Sequence, residues 1–143
     1  MSDETTDTGH RRVTLTRTGF SEFDATNERG GTIHLSGEGP DFRPVELLLV
    51  AMAGCSAMDI DWMTARHAEP EVFEVVATGQ KVRDEKGNHL TGLEVTFRLV
   101  FPEGEGGDTA RDRLPRAVAK SHDLLCSVSR TVQLGEPVTM TVI

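Results

Sequence analysis

The chain is poor in the patterns that mark the commonest functional classes. Of its 143 residues only Cys55 and Cys126 are cysteine. They form neither a CxxC nor the paired spacing of a zinc finger. Positive charge is short: 15 Lys and Arg against 23 Asp and Glu give a formal net charge of -8. That balance speaks against nucleic acid or an anionic membrane as partner. Long apolar runs are missing too, since the longest, Leu47 to Cys55, is about half a bilayer crossing. The opening "MSDETTDTGHRR" has no apolar segment of the secretory kind. The expectation is a cytoplasmic protein whose thiols are kept reduced, where a permanent disulfide is unexpected and a transient one is not. There are no repeats and no low-complexity segments. The glycines of "GEGPDF" and "PEGEGG" are loop chemistry without a phosphate-binding pattern.

What remains is one domain's worth of ordinary globular sequence, 37% hydrophobic and 27% charged. Residues 1 to 10 read as a flexible tail and residues 11 to 143 as a single domain. "RRVTLTRTG" sets Val13 and Leu15 against Thr14 and Thr16, the period of a half-buried strand. "SEFDATN" and "GTIHLSG" are two further strands about the turn "NERGG". Pro44 suits the first turn of a helix reaching about His67. The first half of that helix is apolar on every face and should be surrounded by protein. Strands at 71–83 and 91–101 flank "DEKGNH" as a hairpin, with "PEGEGGD" a loop. A second helix is expected at 111–124 with Pro115 in its first turn, then a short helical turn and a last strand. The order β-β-β-α-β-β-α-β is an α+β pattern. Its buried central helix calls for a second copy as cover.

Cys55 sits inside "ELLLVAMAGCSAMDI", where a thiol is either a small hydrophobe or a reactive group in a dry pocket. "RPVELLLVAMAGCSAMDI", followed later by "LLCSVSRTVQLGEPVTMTV", resembles the OsmC/Ohr family of osmotically induced and organic hydroperoxide resistance proteins. The motif P-x-E-L-L-L ahead of the cysteine is most similar to the OsmC-like branch. The resemblance implies an intertwined homodimer with two central helices wrapped by sheets from both chains. It implies a metal-free thiol peroxidase acting on organic hydroperoxides in stress defence, with Cys55 attacking and Cys126 resolving through a disulfide. It implies no bound cofactor, but an external dithiol, in some members a lipoyl group, as reductant.

Peroxidase members of the family activate the first thiol with an arginine from the N-terminal strands, held by a glutamate ten positions before the cysteine. Here that position is Val45, and the nearby acid is Glu46, nine before. Nine helical steps place Glu46 about 180° from Cys55, whereas Asp59 lies about 40° away on the same face, where its charge opposes a thiolate. "TGFSEF", the first strand-to-strand turn, lacks the family's arginine. Arg43 is the choice among the remaining candidates, ahead of Arg17 and Arg12. At a helix start, Glu46 also has a simple dipole role. Cys126, ahead of "SVSRT" at a prospective helix N-terminus, is on physical grounds the more acidic thiol. His122 and Cys126, four apart, lack a fourth partner for a metal. Trp62 and Met63 read as core or dimer interface. The competing reading is a non-catalytic module that binds a small hydrophobic ligand or senses thiol state.

Overall fold

A computed structural model describes residues 9–143; residues 1–8, most of the expected tail, lie outside the described residues. The chain divides into two compact units, one ending at Leu47 and one beginning at Leu48.

The first unit is a meander of β1 (Val13–Gly19), β2 (Glu22–Asn27) and β3 (Thr32–Ser36), antiparallel in the order β1-β2-β3. Its turns close through side chains the sequence supplies. Asn27 Oδ1 accepts from the amides of Arg29 (3.1 Å) and Gly31 (2.8 Å), fixing the β2–β3 connection. The strands form where expected, but Val13 and Leu15 are exposed rather than half-buried. Strand pairing satisfies their backbone, and among the described residues no element of this unit covers that face.

α1 (Pro44–Thr64) begins in the first unit and runs on into the second. It opens with a side-chain cap, the Arg43 amide donating to Glu46 Oε1 (3.0 Å), and its first helical bond runs from the Leu47 amide to the Arg43 carbonyl. It ends where Thr64 Oγ1 donates back to the Ile60 carbonyl (2.8 Å). The enclosure expected of its first half is corrected here: Leu48 and Val50 are 38% and 49% exposed; the buried residues are Met52, Ser56, Ile60 and Thr64, a stripe at four-residue steps, and in the second half Met58 and Trp62 are 76% and 83% exposed. Trp62 is therefore not a core residue of the chain. The reason is one of supply, since the elements of the second unit cover one face of this helix.

The second unit continues with β4 (Val72–Asp84) and β5 (Gly87–Val100), one long antiparallel hairpin with an irregularity between Thr78 and Gln80. Asp84 Oδ1 accepts from the amides of Lys86 and Gly87 at the turn, and Gly87 takes φ 127°, which only glycine adopts readily.

α2 (Glu105–Lys120) corrects the expected loop at "PEGEGGD", most of which forms its start. Glycines weaken a helix and disguised this one. They are there for space: a Cβ on Gly106 would run into the His67 carbonyl and one on Gly107 into the Pro102 carbonyl. Pro115 consequently lies inside the helix rather than in its first turn. Gly107→Ala is expected to lower stability by about 1–3 kcal/mol, the usual cost of overpacking, read from the denaturation midpoint.

A π-helical turn (Ser121–Leu125) and α3 (Ser127–Leu134) complete the regular structure. The expected last strand is not formed among the described residues. Val138, Met140, Val142 and Ile143 are all at least 79% exposed, because no described strand pairs with them. The α+β class stands, with that strand unpartnered.

Candidate functional site

The second unit brings the two cysteines together. Cys55 lies in the middle of α1, next to the buried Ser56, and is partly exposed. Cys126 follows the π-helical turn. In that turn the backbone bonds span five residues, with the Cys126 amide donating to the Ser121 carbonyl (2.9 Å). Ser121 is itself buried, and its Oγ donates to Asp59 Oδ2 on α1 at 2.9 Å. This bond ties the turn that ends at Cys126 to the helix that carries Cys55. Cys126 is free and 2% exposed.

The start of α3 then holds both sulfurs. Cys126 is its N-cap, with Sγ accepting the Ser129 amide (3.4 Å) and the thiol donating to Ser129 Oγ (3.3 Å). The Val128 amide donates to Cys55. These are amides that a helix N-terminus leaves without intrahelical partners. Here they meet thiols instead of water.

The two thiols are driven apart in acidity. Burial pushes the Cys55 pKa up, and contact with Cys126 and the charge of Asp59 push the same way against the Val128 amide. Burial also acts to raise Cys126, but hydrogen bonds from Ser129, Ser56 and Cys55 outweigh it and bring Cys126 down. The greater acidity expected for Cys126 from its place before "SVSRT" agrees with this. Ser56 and Ser129 were missed in the sequence. The legible signal was a serine three places after a prospective N-cap, where side chain and amide both reach back.

Arg43 and Glu46 have local duties at the start of α1. The Glu46 carboxylate accepts the Arg43 amide, and Arg43 Nη1 donates to the carbonyls of Gly39 (3.1 Å) and Asp41 (3.2 Å). Arg17 belongs to β1, Arg12 precedes it, and Val45 is helical beside Glu46. His122 Nδ1 faces its neighbour Asp123 at 2.8 Å.

Beside the thiols is a cavity of about 640 Å³. Met52, Leu93, Val95, Phe97, Val118 and Val132 give it an apolar lining, and Ser56 and Ser129, the hydroxyls that touch Cys126, share its wall. His122, Asp123 and Gln133 supply a polar side. An apolar group can be housed there close to the sulfurs.

An α+β domain with two helix-borne thiols beside an apolar cavity defines the class of protein. The family model described as OsmC-like protein matches residues 37–141, and the chain belongs to that family. An uncharacterised protein of Mycobacterium tuberculosis is 32% identical over 130 residues, covering 89% of this chain and 92% of that one. Among solved structures, an OsmC-like protein of unknown function from Vibrio cholerae has a TM-score of 0.70 at 16% identity, over 87% of this chain and 94% of that one. The organic hydroperoxide resistance protein OhrB of Bacillus subtilis has a TM-score of 0.53 at 17% identity, over 87% and 90%. These likenesses establish the OsmC/Ohr fold.

Proposed function

We propose that the protein is a cysteine-based peroxidase for organic hydroperoxides, and the observation that carries this is the contact of two free cysteines beside an apolar cavity. Cys55, the more exposed thiol, attacks the terminal peroxide oxygen as a thiolate. The O–O bond breaks, an alcohol leaves, and Cys55 becomes a sulfenic acid. Cys126 attacks that sulfur, water departs, and a disulfide forms. An external dithiol then reduces the disulfide and is itself oxidised. A lipoyl group is one dithiol of this chemistry, and no metal takes part. A reducing, cytoplasmic setting suits a cycle that ends in thiols.

The reading also assigns a homodimer. The exposed Met58 and Trp62 and the unpaired Val138–Ile143 segment form the surface that a second copy would cover. By length and hydropathy alone α1 would pass for a membrane span. Asp59 and Asp61 within it, and the packing of its Met52–Thr64 stripe, fit a core helix between two chains better.

The test is consumption of an alkyl hydroperoxide with a dithiol as reductant, for the native chain and for Val95→Asp. A carboxylate in the apolar lining should cost a bulky organic hydroperoxide about 10- to 100-fold in kcat/KM, the value of one large apolar contact. Hydrogen peroxide, which has no apolar group to house, should be turned over unchanged. Equal losses for both would place substrate elsewhere. The cavity also suits a second reading, a non-catalytic module binding a small hydrophobic ligand, favoured by the raised pKa of Cys55. A ligand bound without any thiol chemistry would select it.

A further inference from the structure

The proposed peroxidase lacks the family's activating pair at the expected positions, and its attacking thiol lies where burial opposes ionisation. Arg43 and Glu46 are engaged with each other and with nearby carbonyls. Within its own unit, burial, Cys126 and Asp59 act on Cys55 to raise its pKa and the Val128 amide acts to lower it.

We propose that Cys126 is the base that activates Cys55, and that Ser129 and Ser56 are the positioning residues that keep the pair's single negative charge on Cys126 at rest. This rests on the peroxidase reading for its purpose but not for its geometry. Cys126 is 2% exposed and Ser56 8% exposed, so the pull of Ser56 on the Cys126 thiolate acts out of reach of bulk water. Ser129 offers two donors, an amide at 3.4 Å and a hydroxyl at 3.3 Å that accepts from the thiol and rotates to donate to the thiolate. The lowered pKa of Cys126 agrees with three such groups around it.

Among the described residues of the second unit, the charged groups that act on the pair include no substitute cation. Asp59, from α1, is an anion that disfavours charge on Cys55, and its carboxylate is held by Ser121. In the π-helical turn His122 faces Asp123, and on α3 Arg130 is exposed. β5 contributes the apolar Leu93, Val95 and Phe97 to the shared cavity.

The sequence of steps balances. Cys126 thiolate takes the proton of Cys55, leaving Cys55 as thiolate and Cys126 as thiol. Cys55 displaces alkoxide from the hydroperoxide and becomes the sulfenic acid. The alkoxide takes its proton back from Cys126 and leaves as alcohol. Cys126, again a thiolate, attacks the sulfenic sulfur, and hydroxide leaves as the disulfide forms. One proton is relayed and two electrons pass from the thiol pair to the peroxide.

The experiment is a pH titration of thiolate ultraviolet absorbance on the folded protein, with no peroxide present. The native chain should show one thiolate formed below the ordinary cysteine range and a second well above it. Cys55→Ser should keep the low-pH thiolate, and Cys126→Ser should abolish it, leaving Cys55 to ionise late. Ser129→Ala should reduce the thiolate fraction at neutral pH about tenfold, one pKa unit, and Ser129→Thr should restore it; a merely structural role would not distinguish these two. A low-pH thiolate that survives Cys126→Ser and vanishes with Cys55→Ser overturns the proposal, as does its absence from the native chain. If the titration behaves as expected but no hydroperoxide is consumed, the thiol pair stands and the peroxidase reading fails.

Discussion

Cys55→Ser is expected to lower the rate of organic hydroperoxide reduction by on the order of 10³-fold or more, because a serine hydroxyl at neutral pH cannot replace a thiolate as nucleophile. The substitution removes one sulfur and little volume, so the fold should survive. The pattern to look for lies in the comparison with Cys126→Ser. If Cys126 only resolves, its loss leaves the first turnover fast and blocks later ones at the sulfenic acid. If Cys126 is also the base, its loss slows the first turnover as well, since Cys55 must ionise against burial and the charge of Asp59. Single-turnover kinetics separate the two. A Cys55→Ser protein of native activity would remove the peroxidase reading altogether.

The second large effect concerns assembly. Trp62 is the sole tryptophan and is 83% exposed in the single chain. Its fluorescence therefore reports directly on whether something covers that surface. A homodimer should show a blue-shifted emission that moves red on dilution, because a second copy's cover depends on concentration. Deleting residues 136–143 should favour the monomer at every concentration if the apolar Val138–Ile143 segment pairs as a strand with a second copy. Sedimentation of the full chain at the mass of two 15.6 kDa subunits is the companion result. A chain that sediments as a monomer, with red emission throughout, would contradict the dimer.

The fold was legible to the extent that local patterns and local structure agree. The alternation around Val13 and Leu15 and the "NERGG" and "DEKGNH" turns located the five strands of the described residues. Pro44 marked the first residue of α1. Failures came where packing overrode local preference. "EGGD" starts a helix because Gly106 and Gly107 must lie against the His67 and Pro102 carbonyls, a contact that no local rule predicts. "VTMTVI" has strand chemistry but no partner strand among the described residues. The π-helical turn before Cys126 is invisible to periodicity, since the extra residue that it accommodates has no composition of its own.

The site was legible in part for the same reasons. The lowered pKa of Cys126 is local in its Ser129 part, just ahead in "SVSRT", and not local in the part that Ser56 and Cys55 of α1 supply. Its contact with Cys55 was reachable through the family resemblance, and the bond between Ser121 and Asp59 that ties their elements together was not. Arg43 and Glu46 show the converse: the family resemblance made them stand-ins for an activating pair, and their bonds are those of a helix start.

The most direct test of the central claim, that these two thiols act as one redox pair, is mass-spectrometric. Reduced protein would be treated with one equivalent of an alkyl hydroperoxide and its peptides mapped without reductant. The account predicts loss of both free thiols with a single cross-link joining Cys55 to Cys126 within one chain, reversed by a dithiol. Both cysteines still free, or Cys55 over-oxidised with Cys126 untouched, would contradict it.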